Sequence, residues 1–194
     1  MKVIAIAAIA AAAGLATASP IMSTGLTEYT VDNAGSPSGS MVIDISGYNS
    51  WDEQGNALNE ILSVFVGVGA EITGIGWDVN LTSAGASWAS EAIMLFEDQI
   101  NLTVGTDDAP VTNANYSSGG IVDLTDAGVP NILLSADGIL DIEFFDSFVD
   151  NAGAIDNSFV AGSSITIVGT GFVPTPGSLA VLGLGGLVAG RRRR

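Results

Sequence analysis

The side chains of this chain that could do chemistry are almost all carboxylates. Its 194 residues include 21 Asp and Glu, five Lys and Arg, and no His or Cys. All the carboxylates lie between Glu28 and Asp156, whereas the basic residues are Lys2 and the last four residues. The interior therefore lacks the residue types for Ser-His-Asp or Cys-His catalysis, Schiff bases, disulfides and His or Cys metal sites. It also lacks the Lys and Arg that bind a phosphate backbone, so we expect no nucleic-acid partner.

Closely spaced carboxylates are the strongest candidate for a binding site. The series Asp137, Asp141, Glu143 and Asp146 places four of them within one short segment. Neighbouring like charges raise each other's pKa or recruit a cation, and hard oxygen ligands select Ca²⁺. No EF-hand spacing is present. We therefore consider two interpretations: a Ca²⁺ site formed by these four residues, or a solvated acidic surface that keeps the protein soluble. No other cofactor is expected.

A pair of carboxylates could also act as the acid and base of a glycosidase. Among 21 carboxylates such pairs are unavoidable, and the domain offers no Arg, Lys or His to hold a sugar. We therefore predict that the protein is not an enzyme.

The three tryptophans are the remaining candidates for ligand contact. Trp77 is in phase with Ile75 and Val79, which predicts a place in the core. Trp51 and Trp88 lie in polar segments rich in Gly and Ser, where an exposed ring could stack on a sugar. Trp51 and Trp88 are thus the predicted ligand residues.

Short segments of alternating polarity must position these side chains. In residues 72–82, Ile75, Trp77, Val79 and Leu81 alternate with polar residues or glycine, the period of a half-buried strand. Eight segments are predicted as strands: residues 41–46, 61–68, 72–82, 92–97, 100–104, 120–124, 139–145 and 164–169. Gly, Asn, Asp, Ser and Pro separate them, so residues 19–172 are predicted to form an all-β, antiparallel, jelly-roll-like β-sandwich. A helix over residues 90–100 is the less favoured alternative.

The N-terminus has the three parts of a secretory signal peptide. Lys2 precedes an apolar stretch, residues 3–15, and Ala16 and Ala18 form a small-x-small cleavage site. The prediction is a signal-peptide helix in residues 1–18, with Ser19 as the first mature residue.

The C-terminal segment, residues 173–194, is organised differently. Val173, Pro174, Thr175, Pro176 and Gly177 precede 13 uncharged residues, which are followed by Arg191, Arg192, Arg193 and Arg194. Four terminal arginines hold a segment on the cytoplasmic side of a membrane. A short hydrophobic helix of this length falls below the roughly 20 residues of a comfortable transmembrane helix. The segment is therefore predicted to be either a weak membrane tail or a tether that is removed after sorting.

In these residues the chain resembles the PEP-CTERM family of sorting tails. The family pattern is a Pro-x-Pro element, a short span rich in Gly and Leu, and a terminal Arg cluster; Thr175 stands where the family usually has Glu. The resemblance implies processing by signal peptidase and an exosortase, transient tethering to the inner membrane, and delivery to the cell surface or to an extracellular polysaccharide matrix. We expect an exported, non-catalytic protein with a structural or adhesive role. The alternative is a carbohydrate-binding module, with or without Ca²⁺.

Overall fold

The computed structural model describes residues 23–31 and 37–173, and describes side chains from residue 39 onward. These residues form thirteen strands and one 3-10 turn, Ala89–Glu91, and contain no α-helix. The strands are β1 (Ser23–Val31), β2 (Pro37–Asp44), β3 (Asn49–Ser50), β4 (Glu60–Phe65), β5 (Glu71–Ser83), β6 (Ala92–Phe96), β7 (Ile100–Thr103), β8 (Ala114–Ser117), β9 (Val122–Asp123), β10 (Ile132–Leu133), β11 (Ile139–Asp146), β12 (Asn157–Phe159) and β13 (Ser164–Thr170). The two predicted terminal helices lie outside the described residues. Within the described ranges, no helix is both long and apolar enough to cross a bilayer.

Two antiparallel sheets contain all thirteen strands. The larger sheet has the order β1-β2-β13-β5-β12-β3, and the smaller has the order β4-β11-β6-β7. Strand β5, 13 residues long, pairs with β13 and β12 and also with the short strands β8, β9 and β10. The all-β prediction is therefore confirmed.

Each of the eight predicted strand segments overlaps an observed strand. The helical alternative for residues 90–100 is wrong, because β6 and β7 form a hairpin there. Glu97 and Asp98 have φ values of 50° and 52°, and the N–H of Gln99 donates to the carbonyl of Phe96 at 2.8 Å. Three residues, Glu97, Asp98 and Gln99, separate the paired Phe96 and Ile100, and positive φ at the first two lets the chain reverse within this short loop.

A bulge alters the alternation along β5. Ile75, Val79 and Leu81 are buried as their spacing predicts, and Trp77 packs half-buried against the core. The register of β5 with β13 shifts by one residue beside Gly169. Ile72 is therefore also buried in the core, although an undisturbed alternation would place it on the face opposite to Ile75. A Cβ at Gly169 would lie 2.0 Å from the carbonyl oxygen of Glu71, so only glycine fits this crossing.

The core draws buried residues from both sheets. Leu140, Ile142 and Phe144 of β11 are fully buried. The ring of Phe144 stacks on Tyr48 at 4.7 Å between centroids and meets Phe159 edge-on at 5.2 Å. Because successive side chains alternate between faces, Asp146 shares the parity of these apolar residues. The last residue of β11 is therefore a buried carboxylate.

Candidate functional site

The buried carboxylate of Asp146 lies where β11 of the smaller sheet ends beside β3 and β12 of the larger sheet. The Ser50 hydroxyl donates to Asp146 Oδ2 at 2.7 Å, and Asn157 Nδ2 donates to the same oxygen at 3.0 Å. All three residues are fully buried. Asp146 Oδ1 has no hydrogen-bond partner. The three side chains form a polar link between the two sheets, with one carboxylate oxygen left unpaired.

A second buried carboxylate, Asp156, organises the adjoining loops. Its Oδ1 accepts hydrogen bonds from the Ser87 hydroxyl (2.8 Å) and from the backbone N–H and side-chain amide of Asn151 (3.0 and 2.8 Å). Its Oδ2 accepts a bond from the backbone N–H of Asp150 at 3.3 Å. Asp156 thereby joins the segment after β11 to the turn that precedes residues 89–91. Hydrogen bonds from four donors satisfy this carboxylate, in contrast to Asp146.

The electrostatics of the site oppose ionisation. Burial raises the pKa of Asp146 to about 6, and the charges of Asp156 and Glu91 act in the same direction, against the hydrogen bonds from Ser50 and Asn157. Burial also raises the pKa of Glu91. The nearby carboxylates Asp150 and Asp156 raise this pKa further, whereas the hydrogen bond from the Trp88 N–H lowers it. The site therefore favours the protonated form of Asp146 and Glu91.

The four predicted metal ligands do not come together. Asp141 and Glu143 have opposite parity to Asp146 on β11, and Asp137 lies in the turn before that strand. The exposed Asp141 accepts a hydrogen bond from the Ser63 hydroxyl, and the half-buried Glu143 accepts bonds from the loop before β4. Within the part of the chain that the structure describes, no three acidic side chains converge as metal ligands. Asp146 thus lies on one face of β11, Asp141 and Glu143 lie on the other face, and Asp137 lies in the turn before the strand.

The two predicted ligand tryptophans differ in their exposure. The indole N–H of Trp51 donates to Glu60 Oε1 at 3.3 Å, and its ring is half-buried. Trp88 is 43% exposed, and its backbone carbonyl accepts a hydrogen bond from Asn157 Nδ2 at 3.1 Å. Trp51 directly follows Ser50 in the chain, so both tryptophans adjoin residues of the Asp146 site. Only Trp88 is exposed enough to offer a ring face to a ligand.

The predicted sorting and cleavage residues lie outside the described part of the chain, except Val173. These are Ala16, Ala18, Ser19, Pro174, Thr175, Pro176, Gly177 and Arg191 to Arg194. Val173 is exposed, and its N–H donates to the carbonyl of Val66 at 2.9 Å.

Sequence reasoning missed most of the buried polar residues. The position of Asp146 could have been found, because it continues the period-two alternation of Leu140, Ile142 and Phe144. Ser87 and Asp156 lie in irregular segments, where no period indicates burial. Contacts between distant segments bury them.

The chain matches no protein-family model, no curated protein and no solved structure.

Proposed function

We propose that this chain is an exported, non-catalytic protein of the cell surface or extracellular matrix, with a structural or adhesive role. In this proposal a jelly-roll-like β-sandwich lies between a signal peptide and a sorting tail, both of which are removed. The observation that carries it is the distribution of charge, with cationic side chains confined to residues 2 and 191–194. That distribution fits two membrane-addressing ends around a soluble acidic domain.

The position of the last strand supports removal of the tail. Strand β13 ends at Thr170, and the last described hydrogen bond near the tail is donated by Val173. Cleavage beyond Val173 would remove none of the thirteen described strands. Processing of the tail is therefore compatible with an intact domain.

Replacing Arg191 to Arg194 with glutamine should block tail processing and leave a heavier product in the cell. The four arginines would hold the end of the tail on the cytoplasmic side while the sorting enzyme acts. Intact mass spectrometry of extracellular and cell-associated protein measures the outcome. A control with four lysines keeps the charge and should be processed normally. Export of the glutamine variant at normal mature mass would contradict the proposal.

A second candidate function, carbohydrate binding, is favoured by one observation. Trp88 exposes 43% of its surface next to buried and half-buried carboxylates, and aromatic rings with this exposure can pack against the faces of sugars. A module of this kind would bind extracellular polysaccharide without turnover.

If the protein binds glycans, Trp88→Ala should weaken that binding about tenfold, because a stacked aromatic contact contributes roughly 1.5 kcal/mol. Glycan-array binding followed by titration of the strongest hit measures the loss. Leu133→Ala is the matched control, since Leu133 is an exposed apolar residue (64%) on β10. Equal affinity of the two variants would exclude Trp88 as the binding ring, and absence of any bound glycan would favour the structural role.

A further inference from the structure

The hydrogen-bond network leaves one charged atom of the domain unexplained. Asp146 is fully buried, and its Oδ1 has no donor although Oδ2 has two. Among the buried side-chain atoms of the described residues, the only other N or O atom without a partner is the amide oxygen of Asn131. An ionised oxygen costs far more than an amide oxygen to bury unpaired. The environment of Asp146 therefore calls for a positively charged partner.

No side chain of the domain can be that partner. The charges of Asp156 and Glu91 act on Asp146, and Glu91 in turn interacts with Asp150. Between residues 3 and 190 the sequence contains no Lys, Arg or His. The compensating charge must come from the solvent, as a proton or as a metal ion.

We propose that this end of the domain binds one Ca²⁺ ion, with Asp146 Oδ1 as the anchoring ligand and Asp156 and Glu91 as supporting negative charges. Every available donor is an oxygen, which suits hard cations, and the absence of His and Cys disfavours zinc and copper. Ca²⁺ accepts irregular coordination, whereas Mg²⁺ requires near-octahedral geometry. The site therefore differs from the quartet predicted along β11 and shares only Asp146 with it.

The surroundings indicate a weak site. Because no three acidic side chains converge in the described ranges, neutral oxygens and water would complete the coordination. One neutral oxygen already contacts this carboxylate: the Ser50 hydroxyl, which donates to Asp146 Oδ2. Sites with few carboxylates bind Ca²⁺ with Kd values of about 10⁻⁴ to 10⁻³ M, the range of extracellular modules. An exported protein would meet the ion at such concentrations.

Calorimetric titration of the purified full-length chain, freed of metal with EGTA, tests the proposal directly. We expect saturable binding of one Ca²⁺ at pH 7.5, and at least tenfold weaker binding of Mg²⁺. At ten times Kd, Ca²⁺ should raise the melting temperature by on the order of 5 °C. Absence of saturable binding, or an equal rise with NaCl at the same ionic strength, would overturn the proposal.

Variants locate the ion. Asp146→Asn should abolish Ca²⁺ binding, whereas Asp141→Asn, which removes the same charge from an exposed position on β11, should bind as the wild type does. Glu91 is half-buried, and a glutamine in its place keeps an oxygen that can accept the Trp88 N–H. Glu91→Gln should therefore fold, and it tests the site even if Asp146→Asn does not fold. We expect it to weaken binding several-fold. Unchanged affinity in either Asp146→Asn or Glu91→Gln would overturn the assignment.

Discussion

Asp156→Ala should destabilise the domain by about 3 kcal/mol and lower its melting temperature by about 10 °C. The change leaves the backbone N–H groups of Asp150 and Asn151 and the Ser87 hydroxyl without their carboxylate acceptor. Hydrogen bonds to a charged group contribute about 1.5–3 kcal/mol each, and buried unpaired donors cost about 1–3 kcal/mol. The loss of repulsion toward Asp146 and Glu91 offsets part of this cost. Urea unfolding and thermal melting measure the result.

Two further variants give this prediction its controls. Asp126→Ala removes a carboxylate from an exposed turn, so we expect a change within about 0.5 kcal/mol. Asp156→Asn keeps one oxygen acceptor, so its free energy of unfolding should lie between those of Asp156→Ala and the wild type. If Asp156→Ala were as stable as Asp126→Ala, the hydrogen bonds to Asp156 would contribute no net stability.

The domain should lose stability as the pH rises from about 4 to about 6, because Asp146 holds its proton more tightly when folded. Its pKa is about 6 in the folded protein against 3.8 in the unfolded chain. Below pH 3.8 both states are protonated, and above about pH 6 both are ionised. Between these limits only the unfolded chain is ionised, which lowers the free energy of the unfolded state relative to the folded state by about 2–3 kcal/mol in total. Urea unfolding at pH 4.5 and pH 7.5, with EGTA present, measures the difference.

Comparison with Asp146→Asn isolates this carboxylate from the others. The raised pKa values of Glu91 and Glu97, caused mainly by burial, act in the same direction. The lowered pKa values of the exposed Asp123 and Asp137, caused mainly by neighbouring hydroxyl groups, act in the opposite direction. The contributions of Glu97, Asp123 and Asp137 remain in Asp146→Asn, whereas Glu91 interacts with Asp146, so the difference between the two pH profiles belongs to Asp146 and its interaction with Glu91. Identical profiles would show that the buried carboxylate does not titrate in this range.

At neutral pH, Asp146→Asn and Asp156→Ala should change stability in opposite directions. The asparagine keeps an oxygen for the two donors of Asp146 and removes an unpaired charge, although its amide adds a buried donor. We therefore expect a gain of about 1 kcal/mol in the absence of Ca²⁺. A loss of stability in both variants would show that the two carboxylates have the same role.

Much of the fold could be predicted because one face of strands such as β5 and β11 is largely buried. Alternation along residues 72–82 and 139–145 follows directly from the pleat of a strand, and both segments are strands. Short strands such as β3 and β12 were missed, because two or three residues cannot display a period. Their pairing with longer neighbours, rather than their own pattern, makes them strands. Ser50 and Asn157 of the site lie on these two strands.

The sequence by itself determined the charge of this protein and the kinds of chemistry it can host. A domain without His or Cys binds hard divalent metal ions through oxygen, whatever its fold. Only the tertiary structure decided that Asp156 is buried and which carboxylates interact. Asp146 and Asp156 are separated by an irregular loop, and their partners Ser50 and Ser87 come from distant segments. Packing of the two sheets removes water from these groups. This burial, and not the number of acidic residues, is the main reason why the pKa of Asp146, one carboxylate among 21, rises to about 6.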